Sequence, residues 1–193
     1  MTATEPEAWR RRERARLLAA RLAISPAERA AWTARIAAAL PPLLARIECQ
    51  TLGIYWPVRG EVDLRPLATG LVAPGYALAL PAVTDAAAPL EYRPWNPGMA
   101  LEGGRFGIPE PPRGAAVRPD VILAPLVGFD LANYRLGYGQ GYFDRTLAAL
   151  EPRPVAIGIG FELALVASVF PRPHDIPMDF ILTEAVLRAK PAP

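Results

Sequence analysis

The stretch VILAPLVGFDLANYRLGYGQGYFDRTLAAL, residues 121–150, decides the fold. It opens with the apolar run VILAPL (121–126), whose length and boundaries are those of a buried strand. Glycines follow at 137, 139 and 141, and YFDRTLAAL (142–150) then has the composition of a helix. A strand, a glycine loop and a helix in this order form the repeating unit of α/β sheets.

The same alternation extends to both sides of this stretch. Buried strands are predicted at TLGIYW (51–56), YALALP (76–81) and VAIGIG (155–160), and an edge strand at LEYRPW (90–95). Helices are predicted over 8–24, from Ser25 to the Pro41-Pro42 pair, and over 64–72, 142–150 and 162–169. We therefore expect a single-domain α/β fold. Its open, largely parallel sheet is flanked by helices and preceded by an N-terminal helical segment. The domain should span 8–187, between a disordered tail at 1–7 and a second tail at 188–193.

The composition excludes several kinds of site. Among the 193 residues there is one His, one Cys and one Lys, so the other 20 of the 21 basic Lys and Arg residues are arginines. This scarcity excludes a Cys/His zinc cluster and a P-loop lysine, and it leaves the recognition of anions to arginine. A net charge of +2 does not favour a nucleic-acid binder. The sequence has no run of about 18 apolar residues, so it predicts no membrane span. Arg21 interrupts the apolar segment LLAARLAI and makes it a poor signal-peptide core.

The glycine loop is a candidate anion site. Backbone N–H groups at the start of a helix point toward a ligand, and the absence of Cβ atoms lets a phosphate approach. Arg135 could contact that phosphate, and Asp144 could hold the Mg²⁺ that accompanies a nucleotide. The alternative is a tight turn with a solvated Arg135 and with Asp144 stabilising the helix start. The spacing alone does not identify the ligand.

Two segments of the opening stretch, APLVGFD and NYRLGYGQGYFDRTL, closely resemble the signature of the 5-formyltetrahydrofolate cyclo-ligase (methenyltetrahydrofolate synthetase) family. That signature runs P-x-x-x-F-D and then R-L-G-x-G-x-G-Y-Y-D-R. Further blocks of the family are matched in order by SPAER (25–29), RGEVD (59–63), RFGIPEP (105–111) and PHDIPMDFILTE (173–184). The chain departs from the pattern at Gln140, at Phe143 and at Arg10, which stands where many members have lysine.

The resemblance implies an ATP- and Mg²⁺-dependent conversion of 5-formyltetrahydrofolate to 5,10-methenyltetrahydrofolate, and it implies the residues of the site. The implied ATP-binding residues are Arg10, Arg14, Arg135, Leu136, Gly137, Tyr138, Gly139, Gln140, Gly141, Tyr142 and Phe143. Those implied for folate are Trp56, Glu61, Tyr138 and Tyr142. Asp144 and Asp179 are implied as Mg²⁺ ligands, and Arg135 and Tyr142 as residues that position the reacting groups. His174 is expected to form a structural hydrogen bond.

For some of these residues, a purely structural role remains an alternative. Arg10 and Arg14 could belong to a solvated helix face, Trp56 to the core, and Asp179 to a strand edge. Two rival functions also remain, which are a paralogue acting on another formyl or folate-like substrate and a folate or nucleotide binder without catalysis. The expected partners are small molecules only, and we expect a cytoplasmic monomer that binds neither nucleic acid nor membrane.

Overall fold

A seven-stranded sheet organises the chain. The computed structural model describes residues 5–191. The strands are β1 (Thr51–Gly53), β2 (Ala77–Ala82), β3 (Glu91–Pro94), β4 (Glu102–Gly103), β5 (Pro109–Glu110), β6 (Val121–Pro125), β7 (Gly128–Phe129), β8 (Arg135–Leu136), β9 (Val155–Ile159), β10 (Phe180–Leu182) and β11 (Leu187–Ala189). The main sheet has the order β11-β10-β9-β6-β1-β2-β3, while β4-β5 and β7-β8 form two separate hairpins. Its five central strands are parallel, and β3 and β11 are antiparallel edges.

Helices cover both faces of the sheet. They are α1 (Glu5–Ala23), α2 (Pro26–Leu44), α3 (Arg65–Val72) and α4 (Tyr142–Ala149). Side chains alternate along β6, so Leu123 joins the cluster that contains Leu40 of α2, whereas Ile122 joins the cluster that contains Leu147 of α4. The predicted α/β class, the largely parallel sheet and the N-terminal helical segment are confirmed. None of the helices within residues 5–191 is long and apolar enough to cross a membrane.

The start of α2 follows the predicted cap, but its end does not. The hydroxyl of Ser25 accepts a hydrogen bond from the Glu28 N–H (3.3 Å) and donates one to the Glu28 carboxylate (2.6 Å). Pro41 and Pro42 were expected to stop or interrupt the helix, yet it continues to Leu44. The last turn is held by the burial of Leu43 and Leu44 in the core, which offsets the N–H groups that the prolines lack.

Regular structure extends into both segments that were predicted to be tails. The first helix already begins at Glu5, so the prediction of a disordered tail is wrong for residues 5–7, while residues 1–4 lie outside the described part. Leu187–Ala189 pairs with β10 as an edge strand, so the folded domain continues past residue 187. The Lys190 N–H also donates to the Asp179 carbonyl (2.8 Å). Backbone pairing at a sheet edge orders this segment without any strong hydrophobic pattern.

The prediction of a helix over 162–169 is wrong. Only Glu162–Ala164 forms a single 3-10 turn. The chain then runs beside β7, where the Val166 N–H donates to the Phe129 carbonyl (2.9 Å) and the Val169 N–H donates to the Asp130 carboxylate (3.0 Å). These bonds to the β7 segment replace the bonds that a helix would have made within itself.

Candidate active site

A cavity of about 600 Å³ opens at the carboxyl ends of the central parallel strands. Pro125 ends β6, and Tyr55 and Trp56 follow β1 at its wall. Other parts of the wall come from α1, the loop that carries Glu61, the glycine loop (residues 137–141), the start of α4, the segment 172–175 and the β4-β5 hairpin. Ligands of open α/β sheets collect at this edge, so the cavity is the candidate active site.

The glycine loop needs its glycines for backbone geometry and for space. Gly139 and Gly141 have φ values of +98° and +67°, which residues with a Cβ rarely adopt. Gly141 precedes the first residue of α4 and offers no side chain to cap its N–H groups. A Cβ at Gly139 would lie 3.4 Å from the guanidinium of Arg14. An uncapped helix start and an arginine therefore face the same small space, an arrangement that suits an anion.

Arg14 brings to this site a positive charge that no carboxylate of the described residues balances. Its Nε donates to the Gly137 carbonyl (2.7 Å), and no carboxylate within residues 5–191 forms an ion pair with it. Burial, together with the like charges of Arg10 and Arg172, lowers the pKa of Arg14. A partly buried arginine next to other cations is stabilised when an anion binds.

Arg10 differs from Arg14 because its charge is balanced. Its Nη1 lies 2.6 Å from Oδ2 of Asp175, and that oxygen also accepts a hydrogen bond from the backbone N–H of Arg172 (2.8 Å). Burial alone would raise the pKa of Asp175, but these hydrogen bonds and the Arg10 charge outweigh it, so the pKa is lowered. His174 lines the cavity, but its Nε2 stays 3.9 Å from Asp175. The structural hydrogen bond expected of His174 is therefore not formed with its acidic neighbour.

Arg135 lies beneath the glycine loop and holds Asp144. Its Nη2 donates to Oδ2 of Asp144 (2.6 Å), while Oδ1 of Asp144 accepts the Ile176 N–H (3.2 Å). A Cβ at Gly137 would lie 2.6 Å from Nη1 of Arg135, so this glycine leaves room for the guanidinium. Burial lowers the pKa of Arg135, and the charge of Asp144 opposes that effect. Arg135 therefore fixes the start of α4 and the only predicted metal carboxylate that lines the cavity.

Asp179, the second predicted metal ligand, is not brought to the cavity. It lies at the amino end of β10, where its carboxylate accepts the Ala156 N–H (2.8 Å) and pairs with Arg153 (3.0 Å). The carboxyl ends of the same parallel strands form the site. No group of three or more His, Cys, Asp or Glu side chains that could hold a metal occurs within residues 5–191.

Glu61 and Tyr138 form the other end of the site. The buried Glu61 accepts the Val58 N–H at Oε2 (2.9 Å) and the Tyr138 hydroxyl at Oε1 (2.9 Å). Burial raises the pKa of Glu61, and it also raises the pKa of Tyr138 to about 12, with help from the Glu61 charge. Tyr138 therefore stays protonated at neutral pH, and its hydroxyl donates a hydrogen bond to the Glu61 carboxylate. Trp56 is half-buried at the cavity wall, with the Arg65 guanidinium 4.5 Å from its ring centroid.

Tyr142, Phe143 and Gln140 complete the predicted residues of the cavity wall. Leu136 is fully buried under the loop and packs with Leu17. Every residue predicted for ATP or folate lines the cavity, with the exception of Leu136. The structure thus gathers residues that are more than 120 positions apart in the chain.

Several residues in or beside the cavity had no role assigned from the sequence, and three of them make notable contacts. Asp175 and Phe106 both line the cavity, and Phe106 has a φ of +64° and packs its ring edge against Tyr142 (6.4 Å between centroids). Arg21 donates to Tyr138 (2.6 Å) from behind the wall. Its position inside an apolar helix segment was the available signal, since a charged residue on a buried helix face has partners to find.

Known proteins resemble this chain in both sequence and fold. Residues 6–184 match the model of the 5-formyltetrahydrofolate cyclo-ligase family. The chain is 31% identical to the 5-formyltetrahydrofolate cyclo-ligase of Mycolicibacterium smegmatis over 147 residues, which cover 72% of this chain and 75% of that protein. It is 29% identical to the Escherichia coli enzyme of the same name over 150 residues, covering 74% and 81%. The NMR structure of the Aquifex aeolicus 5,10-methenyltetrahydrofolate synthetase superposes with a TM-score of 0.80 at 29% identity, covering 95% of this chain and 94% of that one. This chain belongs to the 5-formyltetrahydrofolate cyclo-ligase family.

Proposed function

We propose that this enzyme converts 5-formyltetrahydrofolate to 5,10-methenyltetrahydrofolate while ATP is split to ADP and phosphate. The observation that carries the proposal is that one cavity holds two complementary binding features. At one end lie the uncapped start of α4 and Arg14, which lacks an ion pair within residues 5–191. At the other end lies the buried carboxylate of Glu61. The first suits a phosphate, and the second suits the guanidine-like N–H edge of a pterin.

The chemistry explains why the two features belong together. Ring closure requires N10 of the folate to attack the formyl carbon and to expel the formyl oxygen, which is a poor leaving group. Transfer of the γ-phosphoryl group of ATP to that oxygen releases ADP and makes the carbon electrophilic. N10 then attacks the carbon and gives up its proton to solvent, the carbon–oxygen bond breaks, and phosphate leaves with the oxygen. These steps need positioning and charge stabilisation more than acid–base groups.

At the phosphate end, the proposed contacts are the guanidinium of Arg14 and the backbone N–H groups from Gly139 to Phe143. Arg10 and Arg172 add positive charge, although each already pairs with a carboxylate. The guanidinium of Arg135 is already paired with Asp144, so the proposed role of Arg135 is to support the glycine loop from below. Tyr142 begins α4 and lines the cavity beside these contacts.

We propose that Mg²⁺ accompanies the nucleotide and that Asp144 holds it. The fit rests on the donor chemistry, since Mg²⁺ in nucleotide sites is bound by one or two carboxylates with phosphates and waters. Each oxygen of Asp144 accepts one hydrogen bond and has a further lone pair. A bound Mg²⁺ would neutralise charge on the transferring phosphoryl group. Asp179 has no part in this proposal because it does not line the cavity.

At the folate end, Glu61 is proposed to accept hydrogen bonds from the pterin. Trp56 and the exposed ring of Phe106 supply flat apolar surface along the cavity for the pterin and the benzoyl ring. Small molecules are thus the proposed partners. The monomeric state and the cytoplasmic location stay predictions, and sedimentation of the purified chain tests the first of them.

The test is to mix the protein with 5-formyltetrahydrofolate and Mg-ATP and to follow the absorbance of the methenyl product together with ADP release. We expect product only when ATP is present. Arg14→Met should reduce ATP affinity strongly, whereas the matched control Arg11→Met, an exposed arginine on the same helix, should not. Folate binding without turnover would favour the non-catalytic binder, and turnover of another formyl substrate would favour the paralogue.

A further inference from the structure

Arg21 is a buried arginine that the proposed chemistry does not use. It lies in the last turn of α1 and is 5% exposed. It does not line the cavity, and no substrate atom would reach it directly. A charge buried to this degree is retained only with a full set of partners, so its contacts indicate what it does.

The three donor groups of Arg21 connect three separate parts of the site. Its Nε donates to the Arg59 carbonyl (3.0 Å), on the loop that carries Glu61. Its Nη1 donates to the Leu126 carbonyl (3.0 Å), directly after β6. Its Nη2 donates to the Tyr138 hydroxyl (2.6 Å) in the glycine loop. One planar guanidinium therefore fixes the distance between these three segments.

The contact with Tyr138 continues to Glu61. The hydroxyl of Tyr138 accepts from Arg21 and donates to Oε1 of Glu61 (2.9 Å). Nη2 of Arg21 itself lies 4.0 Å from the same carboxylate oxygen. With the Val58 N–H on its other oxygen, Glu61 is oriented from both sides, and its remaining lone pairs are available to the cavity.

We propose that Arg21 is a positioning residue for folate recognition, which holds the Glu61 carboxylate in the correct orientation through the hydroxyl of Tyr138. The inference rests on the proposed role of Glu61 as the acceptor for the pterin. It explains why a charged side chain occupies a buried position of α1, one turn after the core residue Leu17, where an apolar residue would pack without needing partners.

The charged and titratable groups around Glu61 define how pH should act. Arg21 faces it from α1, Arg59 from its own loop, Tyr138 from the glycine loop, and Tyr55 from the segment after β1. Burial raises the pKa of Glu61, whereas the Val58 N–H, Arg21, Tyr138 and Arg59 act in the opposite direction. Loss of Arg21 should therefore raise the pKa of Glu61 further and protonate it at a higher pH.

The experiment measures the dissociation constants of 5-formyltetrahydrofolate and of ATP by calorimetry from pH 5 to pH 8, in the wild type, Arg21→Met, Arg21→Lys and Tyr138→Phe. Arg21→Met should weaken folate binding at neutral pH by about tenfold or more, on the scale of a hydrogen bond to a charged group. Its affinity for folate should also fall at a higher pH than that of the wild type as the solution is acidified. Affinity for ATP should change by less than about twofold, since the loss of one hydrogen bond at Tyr138 leaves the phosphate contacts in place.

The other variants separate positioning from folding. Arg21→Lys keeps the charge and should restore the pH dependence in part, although not the three-way contact. Tyr138→Phe removes only the hydroxyl, so the Arg21 bonds to the carbonyls of Leu126 and Arg59 should remain, and this variant tests the link from Arg21 to Glu61 with the least change in packing. Arg16→Met, an exposed residue on the same helix, is the control and should bind as the wild type does.

Two results would count against these assignments, and they differ. If the wild type does not bind 5-formyltetrahydrofolate, the proposed function itself fails. If the wild type binds it, but Arg21→Met and Tyr138→Phe keep the wild-type affinity and pH dependence, the positioning role of Arg21 is refuted and the proposed function stands.

Discussion

The ion pair between Arg135 and Asp144 should be one of the costliest polar contacts to break in this protein. The nitrogen and oxygen lie 2.6 Å apart, and the two side chains are only 5% and 12% exposed. Asp144→Asn removes the charge but keeps an oxygen for the Ile176 N–H. Arg135 then stays buried without a counter-ion. The breaking of one side of a buried pair costs about 3–5 kcal/mol.

The chain contains a matched control for this prediction. Arg65 and Asp63 also lie 2.6 Å apart, but their side chains are 40% and 37% exposed. Solvent screens this pair, so Asp63→Asn should cost at most about 1 kcal/mol. For a domain of this size each kcal/mol lowers the melting temperature by about 2–4 °C, which predicts a drop of roughly 6–20 °C for Asp144→Asn and about 4 °C or less for Asp63→Asn.

Thermal and urea unfolding of the two variants would test the reasoning. Equal losses of stability would refute it, because the two pairs share a distance and differ in burial. The double variant Arg135→Met/Asp144→Leu should recover much of the stability, since apolar residues of similar volume can replace a buried pair. It should not recover activity. Asp144→Asn should also require more Mg²⁺ for turnover when assayed below its melting temperature, and an unchanged Mg²⁺ titration would remove Asp144 from the metal site.

Three further predictions concern the cavity. Gly139 and Gly75 have φ values of +98° and +105°, so Gly139→Ala and Gly75→Ala should each reduce stability by a similar amount, about 1–2 kcal/mol. Only the Cβ of Gly139→Ala meets Arg14, so only this variant should weaken ATP binding in calorimetry. Glu61→Gln should weaken 5-formyltetrahydrofolate binding by roughly 10- to 100-fold and leave ATP binding nearly unchanged, on the scale of a lost hydrogen bond to a charged group; loss of ATP affinity alone would contradict this division. Because the pKa of Asp175 is lowered in the fold, its stabilisation is present above the pKa of the unfolded chain and is lost as the pH falls through the folded value. Asp175→Asn should therefore make stability less dependent on pH in the acidic range, as measured by urea unfolding between pH 2 and pH 6.

Local patterns in the sequence were sufficient for the class of the fold. The apolar runs at β1, β2, β6 and β9 were found because a strand buried on both faces has no polar alternation. The Ser25 cap was found because its partner Glu28 is three residues away. Two of the failures were segments whose partners are remote, namely β11, which depends on β10, and the segment after Glu162, which bonds to β7.

For the site, the sequence and the resemblance indicated most of the residues that line the cavity, but they did not determine which of these residues face each other. The glycine motif and the resemblance indicated Arg14, Glu61 and the 137–141 loop, and the structure gathers these around one cavity. Only the tertiary structure decided that Arg135 forms an ion pair with Asp144 and that Asp179 lies away from the cavity. It also decided that Arg21 is linked to Glu61 by hydrogen bonds through the Tyr138 hydroxyl. The reason is physical. A motif fixes backbone conformation over a few residues, whereas the partner of a charge is set by which strands and helices pack side by side, and that packing depends on the whole chain.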